Sequence, residues 1–336
     1  MNSILVVGPS WVGDMVMSQS LFKAIKERDA ETVIDVLAPA WSHPLLARMP
    51  EVRHAHLMPV GHGALDLKER YRVAQTLKTY AYDQAILVPN SWKSALIPWW
   101  AGIPRRTGFV GECRFGLLND WRILDPKKRP KMVDRLVSLV CDKKAAHIPE
   151  APLPRLDIDP AAQQAVIKQF ALQSSLERPA LVLCPGAEFG ASKRWPEHYY
   201  AEVALQKHQE GWSVWILGSK KDQPIAAQIQ EATGGLCLDL SGQTHLSEAI
   251  DLLSLATTVI SNDSGLMHIA AALQKPLVAI YGSTDPGYTP PLGVQSTVVR
   301  LTLPCSPCFQ RECPLGHHQC MQGLKPEVVL NALNQH

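Results

Sequence analysis

Short, unbroken apolar runs recur along this chain, each followed by a turn and then by a stretch with helical spacing. Runs at residues 4–7, 33–38 and 85–88, with another near Arg106-Thr107-Gly108-Phe109, occupy the first half; runs at 180–184, 213–217, 258–261 and 277–281, with a short one at 236–240, occupy the second. A strand with one wet face alternates apolar and polar residues. These runs do not alternate, so both faces are covered, as in parallel strands packed between helices. Met17, Leu21 and Ile25 repeat at helical spacing after the first run, and 196–210, 225–232, 245–256 and 266–273 read as helices. Strand, turn, helix and strand make a βαβ unit, and its repetition predicts an α/β fold.

At 336 residues the chain exceeds what one core usually serves. Pro149, Pro152, Pro154 and Pro160 fall within twelve residues or so and mark a boundary. The expectation is two doubly wound, Rossmann-like parallel-sheet domains facing each other, over 1–155 and 156–336. The last helix is a candidate to pack back on the first domain. Ligands of such sheets sit at the carboxyl ends of the strands.

With 46% apolar and 19% charged residues, long disorder is excluded. A formal charge of +2 gives no global field for nucleic acid, which is not an expected partner. Between Arg105 and Arg135, nine Lys/Arg against four Asp/Glu leave a local +5, either a solvated face or a landing surface for an acidic acceptor or anionic membrane. The amino terminus has no basic segment leading into a long apolar one, so no signal peptide is expected. The apolar stretch 95–103, with Trp99 and Trp100, is interrupted by Pro98 and Gly102 and is too short to span a bilayer. It reads as a buried helix end or as a dip into a lipid interface, and the expected location is cytoplasmic.

Of eight cysteines, Cys113, Cys141, Cys184 and Cys237 are scattered and expected to be buried thiols. The other four form Cys305-x2-Cys308-x4-Cys313-x6-Cys320, with His317 and His318 inside the pattern. Structural zinc, an iron–sulfur site and a reduced metal-free loop all remain open for this cluster.

Three segments carry chemistry. Gly8-Pro9-Ser10-Trp11-Val12-Gly13-Asp14-Met15 follows the first strand with the glycine spacing of a phosphate loop. Asp14 and Met15 stand where that motif needs Lys and Ser/Thr, so an NTPase is excluded. The Gly-x-Gly-x-x-Gly pattern of dinucleotide dehydrogenases is missing too. What remains is a glycine-framed turn presenting Asp14 as a general base, or as a residue favoured at a helix start by the dipole. The second segment, from Cys184 to Pro196, combines small residues such as Gly186 with the cations Lys193 and Arg194, just before a helix opened by Pro196. In the third, Asn262-Asp263-Ser264-Gly265-Leu266-Met267-His268, a strand gives way to a helix that Asp263 or Ser264 can cap. Free N–H groups at that helix start suit an anion.

These segments, with Pro89-Asn90-Ser91-Trp92-Lys93-Ser94-Ala95-Leu96 and Tyr281-Gly282, resemble in their order the bacterial heptosyltransferases, glycosyltransferase family nine. The resemblance covers nearly the whole chain. It implies a GT-B fold, with the acceptor on the first domain and the nucleotide sugar on the second. It implies inverting transfer of L-glycero-D-manno-heptose from ADP-heptose to the first heptose of the lipopolysaccharide inner core, at the inner face of the inner membrane, with no metal and no cofactor. On that reading Asp14 and Lys193 are catalytic. Gly186, Lys193, Arg194, Asp222, Asp263, Ser264, Gly265, Leu266 and His268 bind the donor. Gly13, Asn90, Lys93, Arg105, Arg106 and Arg114 bind the acceptor. A heptosyltransferase of different acceptor specificity and a nucleotide-sugar epimerase of similar fold are the alternatives.

Overall fold

The computed structural model describes residues 2–61, 63–143, 145 and 147–335. The chain divides between Pro154 and Arg155 into two compact units.

The first unit runs β1 (Ser3–Val7), α1 (Val12–Arg28), β2 (Val33–Ala38), α2 (His43–Leu46), β3 (Val52–Leu57), α3 (Leu67–Lys78), β4 (Gln84–Leu87), α4 (Trp92–Trp100), β5 (Arg105–Phe109), β6 (Asp120–Arg122) and α5 (Met132–Val137). Its strands are all parallel, in the order β3-β2-β1-β4-β5-β6. Val6 at the centre pairs with Val36 on one side and Ile86 on the other. All three are sealed from solvent, which is why these runs do not alternate; the charged residue among them, Asp35, is buried and paired with Arg53. Leu5, Val7, Leu37 and Leu87 pack against Ala74 and Leu77 of α3 and Ala95 and Ile97 of α4. Burying each larger side chain stabilises the unit by roughly 1.5–3 kcal/mol. Helix α1 places Asp14 in its first turn and Lys26 and Arg28 in its last, each sign at the favourable end of the dipole.

The second unit runs α6 (Pro160–Gln169), β7 (Ala180–Cys184), α7 (Glu197–Gln209), β8 (Ser213–Ile216), α8 (Gln223–Ala232), β9 (Leu238–Asp239), α9 (Leu246–Leu255), β10 (Thr258–Asn262), α10 (Gly265–Ala272), β11 (Leu277–Ile280), β12 (Ser296–Val299), α11 (Gln319–Gln322) and α12 (Pro326–Leu333). Its parallel sheet has the order β12-β11-β10-β7-β8-β9. The closing helix α12 packs on α7, β11 and β12 of this same unit.

Several details differ from the sequence reading. The strands β3, β6 and β12 lie outside the apolar runs, because at or next to the sheet margin they are only partly covered; β3 reads Val-Arg-His-Ala-His-Leu. The run at 236–240 forms only the two-residue strand β9. Cys184 and Cys237 are buried as expected, but Cys141 is half-buried and Cys113 is exposed. Cys113 sits in the turn after β5, at a φ of 52°. Helix α4 buries Ala95 to Pro98 while Trp99 stays 47% exposed. No helix among the described residues is long and apolar enough to cross a membrane.

Candidate active site

In each sheet the chain leaves two adjacent central strands in opposite directions, which opens a crevice at their carboxyl ends. In the first unit those strands are β1 and β4; in the second they are β7 and β10. The loops leaving them are the segments carrying Gly13-Asp14, Asn90-Lys93, Gly186–Lys193 and Asp263-Ser264. Topology therefore explains why these segments were rich in chemistry.

In the second unit, Lys193 ends a short turn at Ala191–Lys193. Its Nζ donates to Asp263 Oδ2 at 2.6 Å, and the Thr284 hydroxyl donates to the same oxygen at 2.5 Å. The Lys193 side chain is 13% exposed and that of Asp263 5%. Lys193 Nζ also lies 4.9 Å from the centre of the Phe189 ring. His268, one turn into α10, is buried, and burial pushes its pKa down to about 4; Asp263 and the Lys193 cation act in opposite senses on it, and burial wins. Its imidazole is therefore neutral near pH 7. Ser264 caps α10, its Oγ accepting from the Met267 amide. Residues 264–266 are half-buried, whereas 267–272 are buried, so only the start of this helix is open to a ligand. The Nε of Arg194 is buried and has no hydrogen-bond partner among the described residues.

Two expected donor residues have a different local role. Gly186 was read as allowing a ligand close to the backbone. A Cβ there would instead strike the Asp222 carboxylate, so the glycine makes room for that side chain. Asp222 is buried and its Oδ2 accepts from the Ser219 amide and hydroxyl at 2.8 and 2.7 Å, fixing the loop after β8.

In the first unit, Gly13 and Asp14 are half-buried at the start of α1, and Asn90 is exposed beyond β4. Lys93 donates to the Gly63 carbonyl at 2.7 Å. Arg105 and Arg106 are not gathered with them for an acidic acceptor; Arg114 meets Asn90, donating to its Oδ1 at 3.4 Å, but is spent on the loops. Arg114 is 2% exposed and donates to the carbonyls of Phe109, Pro89 and Ser91 and to Ser94 Oγ, tying the loops after β4 and β5. Burial lowers its pKa to about 10, still far above neutrality. Arg105 and Arg106 open β5, at the amino edge of the sheet and away from the crevice. Arg105 pairs with Asp120 at 2.9 Å, and Arg106 donates to the Leu117 and Ile103 carbonyls.

Residues 70–319 match the family model for glycosyltransferase family 9 (heptosyltransferase). The chain belongs to that family. Among its relatives, lipopolysaccharide heptosyltransferase 2 of Escherichia coli K12 is 46% identical over 340 residues, covering 98% of this chain and 97% of the relative. Lipooligosaccharide heptosyltransferase 2 of Haemophilus influenzae is 46% identical over 344 residues, covering 99% of both. The solved structure of E. coli ADP-heptose LPS heptosyltransferase II superposes with a TM-score of 0.88 at 43% identity, over 100% of this chain and 98% of that one. The two six-stranded parallel sheets with flanking helices match its GT-B fold.

Two residues of this family 9 glycosyltransferase escaped the sequence reading. Asn262, fully buried at the end of β10, accepts through Oδ1 from the Trp195 amide and the Tyr200 hydroxyl, both at 3.1 Å, and donates to the Pro185 carbonyl at 2.6 Å. It fastens the two crevice loops to each other. Thr284 lies four residues beyond β11 and is recognisable only through Asp263. The available signal for both was position: a polar residue at or just past the carboxyl end of an apolar strand.

Proposed function

We propose that this glycosyltransferase moves L-glycero-D-manno-heptose from ADP-heptose to the first heptose of a lipopolysaccharide inner core, with inversion. The second unit binds the donor and the first binds the acceptor. The observation that carries the donor half is the Lys193–Asp263–Thr284 cluster beside the open start of α10. A largely buried cation next to an accessible helix start suits a leaving diphosphate. The sugar and the acceptor are supported by the names of relatives that share 46% of residues over nearly the full length.

In the proposed step, the acceptor oxygen attacks the anomeric carbon and the bond from that carbon to the phosphate oxygen breaks, its electron pair leaving with ADP. The hydroxyl proton passes to the Asp14 carboxylate. An ordinary carboxylate, with a pKa of about 3.9, is a weak base toward a free hydroxyl. It serves here because the hydroxyl becomes acidic only as the new bond forms. Lys193 and the amides of 264–266 take up the charge on ADP, so the step needs no metal or cofactor. Arg194 joins them, Asp263 holds Lys193 in place, and His268, buried and neutral, adds no charge of its own. Asn90 and Lys93 are retained on the acceptor side. Arg105, Arg106 and Arg114 are not, because of the contacts they already make. We place the enzyme at the inner face of the inner membrane as a peripheral protein, a reading supported by the exposed Trp99 of α4.

The test is mass spectrometry of truncated lipopolysaccharide bearing a single heptose, before and after incubation with enzyme and ADP-heptose. A gain of one heptose is expected. No gain on that acceptor, with gain on a core of another length, would reassign the acceptor; no gain on any core would refute heptosyl transfer.

A further inference from the structure

Between the end of β12 and the start of α11, residues 300–318 form neither helix nor strand. Irregular segments of this length are uncommon inside a compact domain and need something to order them. Leu301 packs on the core at the segment's start, but farther along Phe309 is 50% and Leu315 61% exposed. What the segment does contain is Cys305, Cys308 and Cys313, with Cys320 in the first turn of α11. All four are free thiols, half-buried, and line one cavity of about 20 Å³ together with Ser192 and Ser283. That volume holds a single small atom or ion.

One feature sets the cluster apart from incidental thiols. Cys320 is fixed by close packing, since a Cβ on Gly282 would meet its Sγ at 3.3 Å. Among the described residues, no three Cys, His, Asp or Glu side chains converge on an ion as they stand. Thiols bind metal as thiolates, so binding would release protons and draw the four sulfurs together.

We propose that Cys305, Cys308, Cys313 and Cys320 bind one thiophilic divalent cation, zinc or iron(II), in a four-sulfur site. Thiolates select such ions over hard cations, and four sulfurs suit tetrahedral geometry. Four protein ligands leave no open position for substrate, so the ion is structural. Its consequence lies in what the segment touches. The Arg311 carbonyl accepts from the Ser192 amide at 3.1 Å, and the Gln310 carbonyl accepts from Ser192 Oγ at 2.5 Å. The Phe309 amide donates to the Ser283 carbonyl at 2.7 Å, and Ser306 Oγ donates to the Gly282 carbonyl at 2.6 Å. Ser192 precedes Lys193 and Ser283 precedes Thr284, so the clamped segment sets both flanks of the Lys193–Asp263–Thr284 cluster.

The test uses the full chain, purified without a metal-affinity tag and without air, with zinc and iron measured by plasma mass spectrometry. About one ion per chain is expected, lost in the Cys308→Ser/Cys313→Ser double variant and kept in Cys113→Ser, whose thiol lies outside the cluster. Should the double variant fail to fold, wild-type protein stripped of metal and titrated with cobalt(II) carries the test. Intense thiolate-to-cobalt absorption saturating at one equivalent is expected. Metal-free protein that binds no cobalt(II), with all eight cysteines reacting as thiols on unfolding, overturns the proposal. So does mass-spectrometric detection of disulfides among these four.

Discussion

A lysine and an aspartate both largely removed from water lose more hydration than their mutual attraction returns, unless further partners complete them. Asp263 has such partners in Lys193 and Thr284; among the described residues the Lys193 ammonium, with three donors, has one carboxylate oxygen and the face of Phe189. A diphosphate would supply the remaining acceptors. Asp14 differs in kind: it stands half-buried at the start of α1, and in the proposed step it acts only while a proton moves. The two residues should therefore separate in mutant kinetics. Asp14→Asn is expected to lower kcat by roughly 10²–10⁴-fold, the usual range for a general base, with ADP affinity by calorimetry unchanged. Lys193→Ala is expected to weaken ADP binding by roughly ten- to a hundredfold, the loss of one charge-assisted hydrogen bond. Normal turnover by the first variant, or normal ADP binding by the second, would remove the corresponding role.

Helix α10 shows how a short element turns sequence into a ligand site. Its apolar, alanine-rich body is buried against the sheet, so its start is held rigidly while residues 264–266 stay accessible. That was legible in the sequence: an apolar strand, a capping serine, a glycine and a small-residue helix admit few other arrangements. The fates of Arg105, Arg106 and Arg114 were not legible. Sequence shows charge and spacing, but whether a guanidinium is consumed by backbone carbonyls, as that of Arg114 is, depends on loops from β4 and β5 meeting in space. The role of Gly186 was hidden for the same reason, because its neighbour Asp222 is 36 positions away. His268 offers a test at this scale. Its folded pKa of about 4 lies below the value of about 6.5 for an exposed imidazole. Between those values the unfolded chain binds more protons, so stability rises with pH across the window. The contribution from keeping His268 neutral is complete above about pH 6.5 and is lost as pH falls toward 4, on the order of 3 kcal/mol in all. Denaturant titrations at intervals from pH 7 to 4 should show a steeper loss for the wild type than for His268→Gln, by up to about one proton. Equal slopes would mean that His268 does not titrate in this range.

The whole chain uses one strand order twice. Counting outward from β7, the second sheet repeats the 3-2-1-4-5-6 arrangement of the first, so the molecule carries two equivalent crevices. Their linings are not equivalent. The first is framed by a carboxylate, an amide and a lysine in Asp14, Asn90 and Lys93; the second by a buried cation and an open helix start. A transferase needs one crevice for a neutral hydroxyl nucleophile and one for an anionic leaving group, and the chemistry divides in that sense. Ligand binding stabilises the structure that holds it, by about 2.7 kcal/mol at a hundredfold excess over Kd. Hydrogen exchange with saturating ADP alone should therefore slow the amides of 186–194 and 263–268, and leave those of 8–14 and 88–93 close to their rates without ligand. A heptose-bearing core oligosaccharide should give the opposite pattern. Protection by ADP confined to the first unit would exchange the two assignments, because the proposed division of labour rests on which crevice carries the positive charge.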